Sequence, residues 1–185
     1  MDDYRLVKDC LKRETVAQRM LYDRFAASML AVCYRYTKSV ADAEDVLQEG
    51  FVKVFRNLSQ YKAEGELGAW IRRIMVTTAI NFLKKNSRYN AEMVFGEEHL
   101  HAVSNHQPQL NIEAKELADL IRQLPAGYQT VFNLYAVEGY NHVEIGKMLG
   151  IQEGTSRSQY ARARALLIQW IEQKPNQQKT TAYAK

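Results

Sequence analysis

The sequence has little of several residue types, and each shortage excludes a class of protein. Two cysteines, Cys10 and Cys33, in 185 residues are too few for the disulfide framework of a small secreted domain, and they lack metal-ligand spacing. The longest apolar stretch, residues 29–34, is far short of the roughly 20 residues that a membrane span requires. The acidic N-terminus has no hydrophobic core of a signal peptide. We therefore expect a cytoplasmic chain without a membrane span.

Signatures of catalysis are missing as well. The sequence contains no glycine-rich phosphate loop, no His-Glu-x-x-His and no nucleophile elbow. His99, His101 and His106 lie close together, but no cysteine or carboxylate completes a convincing metal-ligand set. We expect neither enzyme activity, nor a cofactor, nor a metal.

Charge is present, but it is segregated along the chain. The net charge of +4 is mild, whereas residues 53–88 carry eight basic side chains against two acidic ones. An acidic cluster, Asp42 to Glu49, comes just before this stretch, and residues 89–114 contain no Lys or Arg. Such segregation indicates more than one kind of charged partner.

The apolar residues predict an all-α fold of two small helical domains joined by a flexible linker. They recur at helical spacing, as in Leu47, Phe51, Val54 and Leu58, and only three prolines interrupt the pattern. Residues 91–110 lose this periodicity and are too long for a loop within one compact domain. We predict a helical domain over 1–90, a linker over 91–110, a second helical domain over 111–174 that Asn111 caps, and a polar tail over 175–185.

The second domain carries the pattern of a helix-turn-helix. A helix from about Tyr128 ends near Gly139, a short helix covers 142–149 after Asn141, and Gly150 provides a turn with positive φ. A second, polar and basic helix begins near Thr155. In a helix-turn-helix this second helix enters the major groove of DNA. The alternative that spacing leaves open is an ordinary helical hairpin with a basic surface.

The N-terminal part of that second helix has side chains suited to reading bases. Arginine pairs with guanine and glutamine with adenine, each contact contributing roughly 1–3 kcal/mol of discrimination. The candidate major-groove residues are Thr155, Arg157, Ser158, Gln159 and Arg162.

The order of these motifs resembles the extracytoplasmic-function (ECF) group of bacterial RNA polymerase sigma factors, in the sigma-70 family. Residues 42–51, Asp-Ala-Glu-Asp-Val-Leu-Gln-Glu-Gly-Phe, are similar to region 2.2 of that family. Residues 70–74, Trp-Ile-Arg-Arg-Ile, are similar to region 2.3 leading into 2.4. Leu124-Pro125 and the segments 129–134, 138–140, 144–146 and 154–158 resemble region 4. The resemblance covers nearly the whole chain.

The resemblance implies three partners and three sets of contact residues. Region 2.2 of the family docks on the basic clamp helices of the largest subunit of core RNA polymerase; the implied docking residues are Asp42, Asp45, Gln48 and Glu49. Regions 2.3 and 2.4 open the −10 element of promoter DNA and hold its single strand, which aromatic and basic side chains suit. The implied −10 residues are Tyr61, Lys62, Arg72, Arg73, Asn81, Lys84, Lys85 and Arg88. Region 4 reads the −35 element, and an anti-sigma factor is a common third partner.

Four residues depart from the family pattern. Thr77 stands where Asn is usual in the segment that the resemblance assigns to the −10 element. Gly146 stands where Ala is usual, and Ser156 replaces an apolar residue, which we expect to weaken the core slightly. Gln159 replaces a common Arg and is expected to change the preferred −35 sequence. Trp70 is interpreted as a core residue rather than a stacking platform.

The sequence thus predicts a sigma factor that directs promoter-specific transcription initiation. The first alternative is a stand-alone helix-turn-helix regulator, which would bind duplex DNA tightly without polymerase. The second is a protein that holds polymerase or another factor without recognising DNA.

Overall fold

The computed structural model describes residues 2–85 and 114–173. Within these ranges the regular elements are helices, without strands, and the chain divides into two units, Met1–Ala91 and Glu92–Lys185. The predicted all-α, two-domain fold is confirmed. The linker, the Asn111 cap, Arg88 and the tail lie outside the described residues, so the exact domain limits stay a prediction. In the described part of the chain, no helix combines the length and apolar character that crossing a membrane requires.

The described part of the N-terminal unit contains four α-helices. These are α1 (Asp3–Leu11), α2 (Thr15–Tyr34), α3 (Val40–Asn57) and α4 (Leu67–Lys85), with a 3₁₀ turn at Leu58–Gln60. The apolar positions predicted from spacing are the buried ones, since Leu47, Phe51, Val54 and Leu58 are all nearly inaccessible. Helices α2, α3 and α4 pack against one another, with α1 against α2.

Gly50 of α3 leaves room for a buried side chain of α4. A Cβ atom built at Gly50 would overlap the Sδ atom of buried Met75. Glycine at this position therefore lets the Met75 side chain pack directly against α3.

The C-terminal unit is also helical in its described part. It comprises α5 (Ala114–Gln123), α6 (Ala126–Phe132), a π-helical turn (Asn133–Val137), α7 (His142–Leu149) and α8 (Glu153–Gln173). Its apolar core contains Leu120, Leu124, Tyr128, Ala163 and Leu167. Helix α8 is the central element, because it packs against α6, α7 and α5.

The turn between α7 and α8 has the predicted geometry. Asn141 caps α7 in a reciprocal pair with Glu144, each side chain bonding to the other's backbone N–H. Gly150 ends the helix at φ +75°. A Cβ on Gly146 would lie 2.8 Å from the carbonyl oxygen of Ile151, so glycine at this position makes room for the backbone of the turn.

Candidate nucleic-acid and protein interfaces

The predicted docking residues lie along the first half of α3. Ser39 caps this helix by accepting a hydrogen bond from the Asp42 N–H at 3.0 Å, which places the half-buried Asp42 carboxylate at the positive end of the helix dipole. Asp45 and Gln48 are exposed. They are the members of the set that present the most surface to a partner.

Glu49, the last of the four, is tied into the domain. Its Oε1 lies 2.7 Å from Lys53 Nζ, which also donates to Thr78 Oγ1 on α4 at 3.2 Å. The hydrogen bond from Lys53, followed by the charges of Lys53 and Lys85, lowers the pKa of Glu49. Part of its negative charge is therefore already compensated. Sequence reasoning counted Lys53 in the basic stretch but missed its pairing with Glu49, although the spacing of four residues was a readable signal.

The loop before α4 is closed by a hydrogen bond. The Tyr61 hydroxyl donates to the Gly65 carbonyl, and the Tyr61 ring lies 5.7 Å from the ring of Trp70. Ala63 adopts φ +57°, a conformation that a non-glycine residue rarely adopts. Lys62 is exposed in this loop. The half-buried Trp70 packs against the Tyr61 ring and helps to hold it in place.

Helix α4 divides the predicted −10 residues between different faces. Trp70, Arg73, Thr77, Asn81 and Lys84 recur at helical spacing and share one side, because a helix turns about 100° per residue. Arg73 and Asn81 are exposed there, while Lys84 is half-buried. The Thr77 hydroxyl donates to the Arg73 carbonyl at 2.8 Å, so this departure from the family pattern is satisfied within its own helix.

The other basic members of the set are separated from this face. Arg72, one residue before Arg73, is half-buried on another flank of α4. Lys85 is exposed at the end of the helix. The structure thus brings Arg73, Asn81 and Lys84 together and leaves Arg72 apart from them.

The first turns of α8 present most of the predicted −35 residues to solvent. Arg157 and Ser158 are exposed, and Thr155 and Arg162 are half-buried. The Ser158 hydroxyl donates to the Thr155 carbonyl at 3.0 Å. Arg157 is not alone, because its Nε donates to Glu153 Oε1 at 3.0 Å, and its Nη2 donates to the same oxygen.

Gln159 is a correction to the sequence-based prediction. Only 4% of the residue is exposed, so its side chain faces the core of the unit rather than a DNA groove. The helical spacing explains this placement, since Gln159 lies four residues before buried Ala163 and three after buried Ser156. Extending the apolar stripe Ala163–Leu167 backwards by one turn would have found it.

Beneath the exposed first turns of α8, His142 of α7 and Ser156 of α8 form a buried polar contact. His142 Nδ1 lies 3.0 Å from Ser156 Oγ, and both residues are buried. The His142 ring stacks on Tyr135 with ring centres 4.4 Å apart, and Tyr160 packs against both rings. Burial, followed by the charge of Arg157, lowers the pKa of His142 and so favours the neutral ring. Sequence reasoning missed this contact, because the two residues are 14 positions apart.

A groove of about 540 Å³ opens beside this cluster. Its lining includes Tyr135, Asn141, His142, Val143, Glu144, Lys147, Glu153 and Arg157. Its lining carries charges of both signs, so the groove is not a uniformly positive surface for phosphate.

The described residues contain no cluster of three or more His, Cys, Asp or Glu arranged to hold a metal ion. Both cysteines are buried free thiols. Burial raises the pKa of Cys33 to about 12 and also raises the pKa of Cys10. The Cys33 thiol is therefore protonated at neutral pH and unreactive as a nucleophile.

Comparisons with known proteins relate both halves of the chain to Sigma-70 regions. Residues 21–89 match the family model of Sigma-70 region 2, and residues 114–167 match that of Sigma-70 region 4. The chain is 28% identical to the ECF RNA polymerase sigma-E factor of Haemophilus influenzae over 178 residues, which cover 90% of this chain and 94% of the relative. It is also 28% identical to the ECF RNA polymerase sigma factor SigW of Bacillus subtilis over 172 residues, which cover 87% and 92%.

A solved structure supports the fold. The sigma factor RpoE of Bartonella quintana, crystallised with the anti-sigma factor NepR, superposes with a TM-score of 0.51 at 17% identity, covering 85% of this chain and 98% of that one. The two matched regions occur in the same order as the two helical units described above. The chain belongs to the sigma-70 family of RNA polymerase sigma factors, as a member of its ECF group.

Proposed function

We infer that this chain binds core RNA polymerase and directs it to particular promoters. The observation that carries this conclusion is the pairing of a region 2 match and a region 4 match in one chain. Each match falls on a separate helical unit. Such a factor contributes binding energy and base recognition rather than a reaction of its own, so we propose that it is not an enzyme. We expect it to act in the cytoplasm, where polymerase meets the chromosome.

Core docking is assigned to the acidic face of α3. Asp45 and Gln48 are exposed there, beside the half-buried Asp42. A carboxylate on a helix surface is complementary to the basic clamp helices implied by the family, and such complementarity contributes to orientation and association rate. Glu49 contributes less, because Lys53 already pairs with it.

Opening of the −10 element is assigned to the loop after Tyr61 and to one face of α4. Arg73, Asn81 and Lys84 lie on that face, and Lys62 lies in the loop. Basic side chains on one helix face can follow the phosphates of a single strand while neighbouring groups contact its bases. Arg72 and Lys85 flank this surface, and Arg88 is the remaining member of the set.

Reading of the −35 element is assigned to the exposed side of α8. Arg157 and Ser158 are the most accessible members, with Thr155 and Arg162 beside them. Gln159 is removed from the base-reading set because it is buried. An anti-sigma factor is a further partner class that we propose, since the solved neighbour from Bartonella quintana binds one.

The test is run-off transcription with purified core polymerase from the source organism on genomic fragments. We expect discrete transcripts only when this chain is added, with a shared sequence upstream of their start sites. Binding of duplex fragments without core, together with an absence of transcripts, would instead identify a stand-alone regulator.

A charge-reversal variant tests the assignment of core docking to α3. We expect Asp45→Arg to abolish core binding while the helical content stays unchanged, because the reversed charge would face a basic surface. Asp23→Arg makes the same charge change on the exposed surface of α2 and should retain core binding. Unchanged core affinity of the Asp45 variant would show that docking occurs elsewhere.

A further inference from the structure

We propose that Glu153 is a positioning residue for Arg157, and that this pair determines how sharply α8 discriminates its −35 sequence from other DNA. The proposal rests on the assignment of Arg157 to base reading. Glu153 is not itself proposed to touch DNA.

The geometry of the pair leaves the base-reading edge of Arg157 open. A guanidinium group has five N–H donors in a rigid plane. Glu153 Oε1 accepts from Nε and Nη2, which occupies one side of that plane. An N–H on each terminal nitrogen remains at the far end, and two parallel donors of this kind match the O6 and N7 acceptors of guanine.

The position of Glu153 in the helix makes the arrangement reproducible. Glu153 lies in the first turn of α8 and Arg157 lies four residues later, so their side chains are neighbours on one helix face. The first turn also favours a carboxylate, because the helix dipole is positive there. Arg157 is thereby held in one direction before DNA arrives, which reduces the side-chain entropy lost on binding.

Stability alone does not account for the pair. The Arg157 and Glu153 side chains are 65% and 44% exposed, and ion pairs this exposed contribute little to folding. Their effect on DNA is larger, since an unpaired arginine is attracted to any phosphate. Glu153 offsets that attraction while leaving the directional contact to a base intact.

The experiment uses the holoenzyme and a promoter identified by run-off transcription. The measured quantity is the ratio of transcript from that promoter to transcript from the same template with a scrambled −35 element, at several salt concentrations. We expect Glu153→Gln to lower this ratio about fivefold, the lower end of what a bidentate contact provides. Glu172→Gln, which removes the same charge near the other end of α8, should leave the ratio unchanged.

A double-mutant cycle separates positioning from a direct effect of the carboxylate. If Glu153 acts through Arg157, Glu153→Gln has no further effect on the ratio in the Arg157→Ala background. An equal loss in that background, or an unchanged ratio in the single variant, would overturn the proposal. If the unaltered chain produces no transcripts, the proposed function itself is refuted, and the proposal about Glu153 loses its basis.

Discussion

The buried contact between α7 and α8 can be tested by replacing Ser156 with alanine. Ser156 Oγ lies 3.0 Å from His142 Nδ1, and both groups are shielded from water. Alanine removes the hydroxyl and changes the volume of the side chain by a single oxygen. The ring nitrogen of His142 then stays buried without this partner.

The expected loss of folding stability is larger when one partner of a buried hydrogen bond is removed than when both are removed. A buried polar group that loses its partner costs about 1–3 kcal/mol, a large share of the roughly 5–15 kcal/mol by which a domain is stable. His142→Phe should cost less, because phenylalanine can keep the stacking on Tyr135. In addition, the Ser156 hydroxyl can turn to its own helix backbone. The double variant should be more stable than the sum of the two losses predicts, by roughly 1–2 kcal/mol.

The assay needs a signal from the C-terminal unit alone. The chain has two tryptophans, and Trp170 packs against the core of that unit. In a Trp70→Phe background, Trp170 fluorescence therefore reports urea unfolding of the C-terminal unit, and the single and double variants can be compared there. Ser158→Ala is the matched control, because Ser158 is an exposed serine of the same helix and should change stability by no more than about 0.5 kcal/mol.

Two results would refute this reasoning. A loss on Ser156→Ala as small as that of the Ser158 control would mean that the hydroxyl does not satisfy the ring. Strict additivity of the two variants would mean that the residues do not interact. Either result would return Ser156 to the interpretation from sequence, in which a serine merely weakens an apolar position.

Two further predictions concern Gly146 and His142, both in α7. Gly146→Ala should destabilise the C-terminal unit by about 1–2 kcal/mol in the urea assay, because overlap with the Ile151 carbonyl outweighs the better helix propensity of alanine; a gain in stability would show that the turn can relax. Burial keeps the folded pKa of His142 below its usual 6.5, so the unfolded chain binds the proton first as the pH falls. Stability is therefore complete above about pH 6.5 and declines below it. The decline in urea midpoint should be smaller in His142→Phe, and an identical pH profile would contradict the assignment.

Local signals made the helix-turn-helix predictable. Asn141 followed by Glu144 satisfies the start of α7, and Gly150 supplies the positive φ that ends it. These effects act within a few residues of one another, so the sequence contains all the groups involved. The helix bounds at His142–Leu149 were accordingly predicted at both ends.

Predictions about the site were less complete where packing decides. Gln159 was assigned to DNA because glutamine suits adenine, but the rotation of α8 about its axis places it inside. That rotation is set by contacts with α6 and α7, which are distant in sequence. The surroundings of Glu49 show the same limit. Its partner Lys53 is close in sequence, but Lys53 also donates to the Thr78 hydroxyl of α4, and that contact depends on how the helices pack.

The two buried polar side chains of α8 suggest why the helix keeps its rotation. Ser156 and Gln159 lie on the inward face, where apolar residues would pack at least as tightly but with less dependence on angle. A hydrogen bond such as Ser156 to His142 weakens steeply when its geometry changes. Because successive residues lie about 100° apart around the axis, fixing Ser156 inward also keeps Arg157 and Ser158 on the exposed side of α8. The buried bond between Ser156 and His142 can in this way determine which side chains of α8 are exposed.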